Sequence, residues 1–376
     1  MSLVLDTHRV LVADRSRVGA YARALAEVVR PGDIVADLGA GTGILGMLAC
    51  RAGAARVYAV EETSLVQLLR EIVAANDFAA RIVPVRGRST QVEPPEPVDL
   101  VVGDQVGGFG FDAGVVGDFA DARRRWLKPG GRLVPSAIEL WMAPVEVLAA
   151  WQALEFWRGA PHGFDYSAAA RIAGNTGYPW RFEAEDLLAA PAAGAPIDLS
   201  RDTPEPWLLE HRFTVARHGT LHGVAGWFVA RLSPHVTMTN SPLADDRIDR
   251  RQVFLPARLP AAVSPGDRVR VVVRIRPEDT LVAWRLTIEG RTHDDRWQST
   301  FEGMLVDPVE LARTRLLHRP ALTARGRARQ TVLELADGRH TVAEIERETH
   351  RRHASLFASP EAAAVFVAEV TTRYAE

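Results

Sequence analysis

Only one cysteine, Cys50, and one lysine, Lys128, occur in the 376 residues. A single cysteine excludes an intramolecular disulfide, and no Cys/His group has the spacing of a zinc site. A reducing cytoplasm is the expected location. Long hydrophobic runs are missing as well, so no stretch reads as a membrane span. The amino-terminal MSLVLDTHRVLVADRSR lacks the basic, apolar, small-residue order of a signal peptide, because Asp6 interrupts it early. Nor does charge of one sign dominate: 45 basic and 47 acidic side chains leave a net charge of −2. Such a balance gives no global field toward nucleic acid or a membrane surface. The preference for arginine over lysine, with abundant alanine, points to a GC-rich bacterial gene and carries no mechanism. The length favours two or three domains with material for buried cores.

What is present is an alternation of strand-like and helix-like segments. Ile34–Leu38 is apolar and follows the turn signal Pro31-Gly32. A glycine-rich turn and the helical pattern ILGMLACRAG come next, then a second strand, RVYAVE. Residues 64–75 read as a helix, 81–85 and 98–102 as strands, and 113–126 as a helix before KPGG turns into RLVP. This order predicts a doubly wound parallel sheet, with ligands at the carboxyl ends of its strands.

The turn reads Asp37-Leu-Gly39-Ala-Gly41-Thr-Gly43. Glycine lets a backbone turn tightly and approach a ligand without a Cβ in the way. The spacing is G-x-G-x-G, one residue short of the dinucleotide fingerprint, and the lysine of a phosphate loop is absent. Glu61 closes the second strand, 22 residues after Gly39. A carboxylate there can accept both hydroxyls of a ribose. A ligand with a ribose and no pyrophosphate is implied, and S-adenosyl-L-methionine fits.

DLGAGTGILGMLACRAGAARVYAVE resembles the cofactor motif of the protein arginine methyltransferases, class I enzymes that use this cofactor. The likeness runs from His8 to about Pro308 and is strongest before Pro135. It implies an amino-terminal helix carrying His8 folded over the cofactor, with Arg17 gripping the methionine carboxylate through its guanidinium fork. It implies that VRGRSTQVE meets the adenine; Ser89 and Thr90 stand there, Thr90 in place of the family's glutamate. The resemblance also implies a homodimer joined by an arm inserted into a barrel, and no arm is legible in this sequence.

The loop VVGDQVGGFGFD corresponds to the family's loop of two glutamates that clamp the acceptor guanidinium. Asp104 matches the first; Asp112 falls one residue short of the second, where strict alignment gives Ala113. Asp104, Asp112 and Gln105 are therefore the candidate catalytic residues. The two aspartates would face the acceptor, bind a cationic or N–H-bearing group and take its proton. A second departure lies at 247–254, RIDRRQVF, where the family carries a Thr-His-Trp loop. The shorter carboxylates and the missing loop lead to an expected acceptor that is a small molecule or a biosynthetic peptide, methylated at nitrogen or carbon. The alternatives are a divergent arginine or guanidino N-methyltransferase and a cofactor-binding regulator with a DNA-binding carboxyl-terminal domain.

Beyond Pro135 the alternating runs SAIELWMAPV, WLLEHRFTVA, LHGVAGWFVARL, RVRVVVRIR and LVAWRLTIEG predict an antiparallel, barrel-like domain. The arginines of Arg268–Arg276 read as a solvated strand face. Among the histidines here, His162 and His235 lie in loop-like settings and are the weaker candidates for a base. From Arg315 the style changes. Thr341-Val-Ala-Glu344 is a capping-box pattern opening a helix, and 361–374 reads as a last amphipathic helix. LADGRHTVAEI resembles the winged-helix proteins that hold precursor peptides, of which the pyrroloquinoline quinone peptide chaperone is the type case. The arginines around 325–329 keep nucleic acid in view as a lesser partner. The expected domains are a Rossmann-like cofactor domain at 1–135, a β-barrel-like substrate domain at 136–312 and a small winged-helix-like domain at 313–376. No metal and no membrane partner is expected.

Overall fold

Apolar runs too short for buried helices, spaced by helix-forming segments, make the first third of the chain a parallel sheet. In the computed structural model, which describes residues 3–201, 206–291 and 296–375, two helices come first, α1 (Leu3–Ala13) and α2 (Arg15–Val28). Then β1 (Ile34–Leu38), α3 (Ile44–Arg51), β2 (Arg56–Glu61), α4 (Leu65–Ala75), β3 (Ile82–Arg86), β4 (Val98–Gly103), α5 (Val115–Arg125) and β5 (Leu127–Val134) follow. The strands lie in the order β3-β2-β1-β4-β5, all parallel. The central strands β1, β2 and β4 are buried on both faces, as helix-covered parallel strands require, while the edge strands β3 and β5 are partly exposed. The chain reverses its direction of progress between β1–β2 and β1–β4, and this switch point opens a cleft at the strands' carboxyl ends. The KPGG segment, read as a turn, is an excursion within β5: Val98 pairs with Leu127 and Leu100 with Arg132, leaving the residues between them unpaired.

Ala137–Val145 (β6) begins the antiparallel half. After α6 (Leu148–Glu155) and α7 (Ser167–Gly174) come the short strands β7 (Tyr178–Trp180), β8 (Ala192–Ala193) and β9 (Ile197–Asp198). The longer ones are β10 (Trp207–Thr214), β11 (Gly219–Arg231), β13 (Gln252–Val263), β14 (Arg268–Arg276) and β15 (Leu281–Ile288), with β12 (Thr237–Thr239) and β16 (Gln298–Ser299) as short additions. They form two sheets, ordered β10-β14-β15-β16 and β7-β13-β11-β6-β8. The expected barrel is thus two packed sheets, and no strand pair joins them among the described residues. They close on a shared core that includes Leu140, Val224, Leu255, Leu209, Val271 and Trp284. Trp284 Nε1 also donates across the gap to the carbonyl of Pro256 at 2.8 Å. The same core runs into the parallel sheet, and Met1–Met304 form one compact unit.

Leu305–Glu376 form a second unit. It holds α8 (Pro308–Arg313), α9 (Ala324–Leu335), α10 (Val342–Arg352) and α11 (Pro360–Tyr374) around Val332, Ile345, Phe357, Phe366 and Val370. The capping box at Thr341 and Glu344 is present, and Thr323 and Ser359 cap α9 and α11. No strand occurs among the described residues of this unit, so the wing of a winged helix is not seen. Where a wing would lie, 353–359 instead turns back on the helices and packs Phe357 on Phe366 at 5.2 Å between ring centroids. The arginines weighed for nucleic acid are engaged within the unit: Arg325 and Arg329 face Glu369 at 3.7 and 3.6 Å, and Arg327 donates to Leu322 O. No helix among the described residues is long and apolar enough to cross a membrane.

Candidate active site

β1 delivers the glycine turn to the cleft. The turn's shape is set by Ala40 N donating to Val60 O at 2.9 Å and Gly43 N to Ala40 O at 2.8 Å. Gly41 has φ +55°, and a Cβ there would lie 2.4 Å from Cε1 of His8, so only glycine admits the ring. His8 projects from α1 to that point. Glu61, at the end of β2, reaches the same turn: Oε2 accepts from Gly41 N at 3.0 Å, and Oε1 accepts from the Thr63 amide and hydroxyl at 2.9 and 2.6 Å. Asp37 is fully buried, with Oδ2 accepting from Gly46 N at 2.8 Å. Its Oδ1 has no partner. Burial pushes this carboxyl up to about 7, against the lowering effects of the Gly46 bond and the Arg17 charge.

Arg17 lies on α2, whose first turn is capped by Asp14. Its side chain is buried and crosses to the loop after β4, with Nε 2.5 Å from Asp104 Oδ2. His8, Arg17, Gly39, Gly41, Asp104 and Gln105 line one cavity of about 150 Å³, together with Arg250. Gly43 opens α3 beside it. Ser89 and Thr90 are not in its lining. Ser89 is buried in the turn after β3, and its carbonyl accepts from Arg125 Nη2 at 2.6 Å and Trp126 Nε1 at 3.4 Å. Asp112 does not line the cavity either.

The loop 104–112 is glycine-rich, yet it is firmly seated. Val106, Phe109 and Phe111 are buried, and Gly110 leaves the room they need: a Cβ there would lie 2.8 Å from both Leu140 of β6 and Phe228 of β11. What comes close to these glycines is the antiparallel half of the protein. Asp112 folds the loop on itself by accepting from Gly108 N at 3.1 Å and Phe109 N at 2.8 Å. Gln105 braces it against β1, with Nε2 donating to Leu38 O at 2.5 Å. These bonds give Asp112 and Gln105 bracing functions that their residue types alone do not specify.

Asp104 is the loop's functional carboxylate by position. It takes four contacts: Arg17 Nε at 2.5 Å and Arg250 Nη2 at 2.8 Å on Oδ2, Arg250 Nη1 at 3.2 Å and the Tyr21 hydroxyl at 3.3 Å on Oδ1. Burial alone would raise its pKa, but the charges of Arg250 and Arg17 outweigh that and hold it below the ordinary aspartate value. Tyr21, fully buried between Asp104 and Gly103 O, is held well above its ordinary value by burial and by Asp104.

The sequence reading missed Tyr21, Arg250 and Asn240. Asn240 is fully buried and ties the loop to the sheets, donating to Gly108 O at 2.8 Å. Arg250 stands in the segment already marked as the family's Thr-His-Trp position, and a cation there opposite Asp104 was the available signal. His162 has φ 57° in an irregular turn, and His235 lies in the loop after β11. Neither lines the cavity, and His293 lies outside the described residues. His222 is buried on β11 with Nδ1 accepting from Val147 N at 3.0 Å, a structural role. No metal-binding group of His, Cys, Asp or Glu occurs among the described residues.

The residues fit S-adenosyl-L-methionine. Asp37 Oδ1 and Gln105 Oε1 are buried acceptors with no partner at the turn, a carboxylate stands at the end of β2, and an arginine stands opposite. The cavity is smaller than the roughly 300 Å³ that opens the range of such pockets, and His8 stands in it over Gly41. Fold and site together define a class I S-adenosyl-L-methionine-dependent methyltransferase. A family model described as ribosomal protein L11 methyltransferase (PrmA) matches residues 22–142, most of the cofactor half. Protein arginine N-methyltransferase 6 of Xenopus tropicalis is 32% identical over 256 residues, covering 64% of this chain and 75% of that protein. Probable protein arginine N-methyltransferase 6 of Arabidopsis thaliana is 27% identical over 320 residues, 82% of this chain and 71% of that one. The Trypanosoma brucei PRMT1 enzyme–prozyme heterotetrameric complex with AdoHcy superposes with a TM-score of 0.71 at 20% identity, over 78% of this chain and 97% of that one. The chain belongs to the protein arginine N-methyltransferase family. This overturns the expectation of a small-molecule or biosynthetic-peptide acceptor. That expectation leaned on two local departures, at 113 and at 247–254, whereas the likeness to arginine methyltransferases extends over most of the chain.

Proposed function

We propose that the protein methylates a guanidino nitrogen of arginine in a peptide or protein acceptor. The observation that carries this reading is Asp104. It is a buried carboxylate beside the glycine turn, and its two oxygens grip a guanidinium fork from the direction of the loop that precedes β13. When bound, S-adenosyl-L-methionine supplies a methyl group already activated on a sulfonium. The chain's part is to hold and aim. Arg17 and the 39–43 turn hold the methionine portion, Glu61 the ribose, and His8 closes over the turn; Ser89 and Thr90 border the adenine side. Asp104 orients the acceptor nitrogen. Because Arg250 and Arg17 keep Asp104 ionised, it is a weak base, and the proton released on transfer leaves to solvent. Gln105 keeps the loop in register with β1. A homodimer is part of this proposal, and light scattering of the purified chain measures it.

The test is incubation with methyl-labelled cofactor and paired peptides that differ only in arginine against lysine. Label confined to the arginine peptides, recovered as methylarginine after acid hydrolysis, supports the reading. Label in acceptors without a guanidino group, and none in arginine, refutes it.

A further inference from the structure

We propose that Arg250 is a specificity-determining residue that occupies the acceptor's place on Asp104, so that an acceptor guanidinium binds only by displacing it. This rests on the arginine reading above and adds what the acceptor must compete with.

The first support is saturation. Asp104 already receives two guanidinium groups and a phenol hydroxyl, and both of its oxygens are doubly engaged. Its side chain is 8% exposed, and those of Arg17 and Arg250 are 5% and 17% exposed. A third guanidinium on this one carboxylate would bury a second uncompensated positive charge, which low-dielectric surroundings penalise heavily. Either the acceptor is held elsewhere or one resident arginine leaves. Arg17 is fixed by a further bond to Leu11 O at 3.0 Å. Among the described residues Arg250 has, besides Asp104, only Gly107 O at 3.5 Å.

The second support is that Arg250 can leave without moving its backbone. The segment is pinned on both sides: Ile248 N donates to Thr239 O at 2.9 Å, Asp249 N to Asp14 Oδ2 at 2.7 Å, and Arg251 O accepts from Asn240 at 3.3 Å. A change of side-chain rotamer is enough. The third support is a landing place. Asp112 is exposed on the same loop and lies beside Gly107, whose carbonyl is 3.5 Å from Arg250 Nη1, so the displaced guanidinium keeps a counter-charge. An acceptor with a lone, weakly held guanidinium loses this competition. One held by further contacts wins it.

If the resident arginine occupies the seat nine-tenths of the time or more, acceptor affinity is reduced by roughly tenfold or more. The experiment uses the full chain saturated with S-adenosylhomocysteine and titrated with methylguanidinium chloride, in the wild type, Arg250→Ala and Arg250→Gln. Both variants should bind methylguanidinium at least tenfold more tightly than the wild type, and adding Asp104→Asn should abolish the gain. With arginine peptides, the variants should lower KM more than they change kcat. Binding no tighter than wild type, with S-adenosylhomocysteine affinity intact, overturns the proposal and makes Arg250 a fixed strut. Loss of S-adenosylhomocysteine binding in both variants overturns it too, because Arg250 would then be part of the cofactor scaffold. Failure of the arginine reading is separate: neither wild type nor variants would methylate arginine peptides, while the methylguanidinium comparison still reads out the seat.

Discussion

Removal of the Glu61 carboxylate is the sharpest test of how the cleft holds its cofactor. Glu61 spends its oxygens on Gly41 N, Thr63 N and the Thr63 hydroxyl. Each carboxylate oxygen can take about two donors, so capacity is left on Oε2 for a ribose hydroxyl and is used up on Oε1. One retained charge-assisted bond plus one exchanged for the Thr63 hydroxyl is worth about 2–4 kcal/mol, since such bonds contribute about 1.5–3 kcal/mol each and one replaces an existing partner. Glu61→Ala should therefore raise the Kd of S-adenosylhomocysteine by roughly 30- to 1000-fold. Glu61→Gln keeps one acceptor oxygen and the shape, and should lose less. Thr63→Ala separates the two contributions: it frees Oε1 without touching the carboxylate, so affinity should hold or improve slightly. Isothermal titration of the three variants, with circular dichroism to confirm folding, gives the numbers. A Glu61→Ala affinity within twofold of wild type would refute the ribose role and the reasoning from spare acceptor capacity.

Three further outcomes follow from the same geometry. Gly41→Ala places a Cβ against the His8 ring at positive φ; it should cost about 1–2 kcal/mol of stability and weaken cofactor binding, and adding His8→Ala should recover part of the thermal loss in a melting assay. Asp37 holds its proton up to about 7 in the folded protein because it is buried, whereas the unfolded chain releases it near 4. Ligand-free stability should fall as pH rises from about 4 to about 7, and Asp37→Asn should flatten that slope in urea unfolding; an unchanged slope would contradict it. Burial lowers the pKa of His222, only partly opposed by Glu146. Its contribution is present above about 6.5 and lost as pH falls below the unfolded value, so His222→Asn should shallow the acid limb below about pH 6.5.

The parts of this protein that sequence could disclose are those whose cause is local. Gly39, Gly41 and Gly43 announce a strand-to-helix turn because glycine adopts positive φ without steric cost, and Glu61 announces a ligand because a carboxylate closing an apolar strand needs a reason. The capping residues Thr341 and Glu344 place a helix start within one turn for the same kind of reason. The hidden parts depend on distant partners. β7, β8 and β9 are strands of two or three residues that exist only because β13 and β6 offer an edge. Whether the antiparallel half closes as a barrel or stacks as two sheets turns on side chains meeting across a core, which alternation along one strand does not encode.

The loop 101–112 shows how far a local reading reaches. Its glycines suggested space for a ligand, and its two aspartates suggested a clamp. In the folded chain Gly110 makes room for Leu140 and Phe228, and Asp112 ties down the loop's own amides. Of the two aspartates only Asp104 faces the cavity, and it is matched by arginines 87 and 146 residues away in the chain. An aspartate is a methylene shorter than the glutamate of its relatives. A carboxylate withdrawn by that length cannot reach an incoming guanidinium as far out, so a resident arginine in the vacated space keeps the buried charge paired when no acceptor is bound. Residue 104 and the segment at 247–254 are then coupled through Arg250, which bonds both oxygens of Asp104. Restoring Asp104→Glu alone should accordingly destabilise the protein, by crowding Arg250 and Tyr21. Asp104→Glu combined with Arg250→His should recover the loss in thermal unfolding. Additive penalties in the double variant would show that the two positions are not coupled.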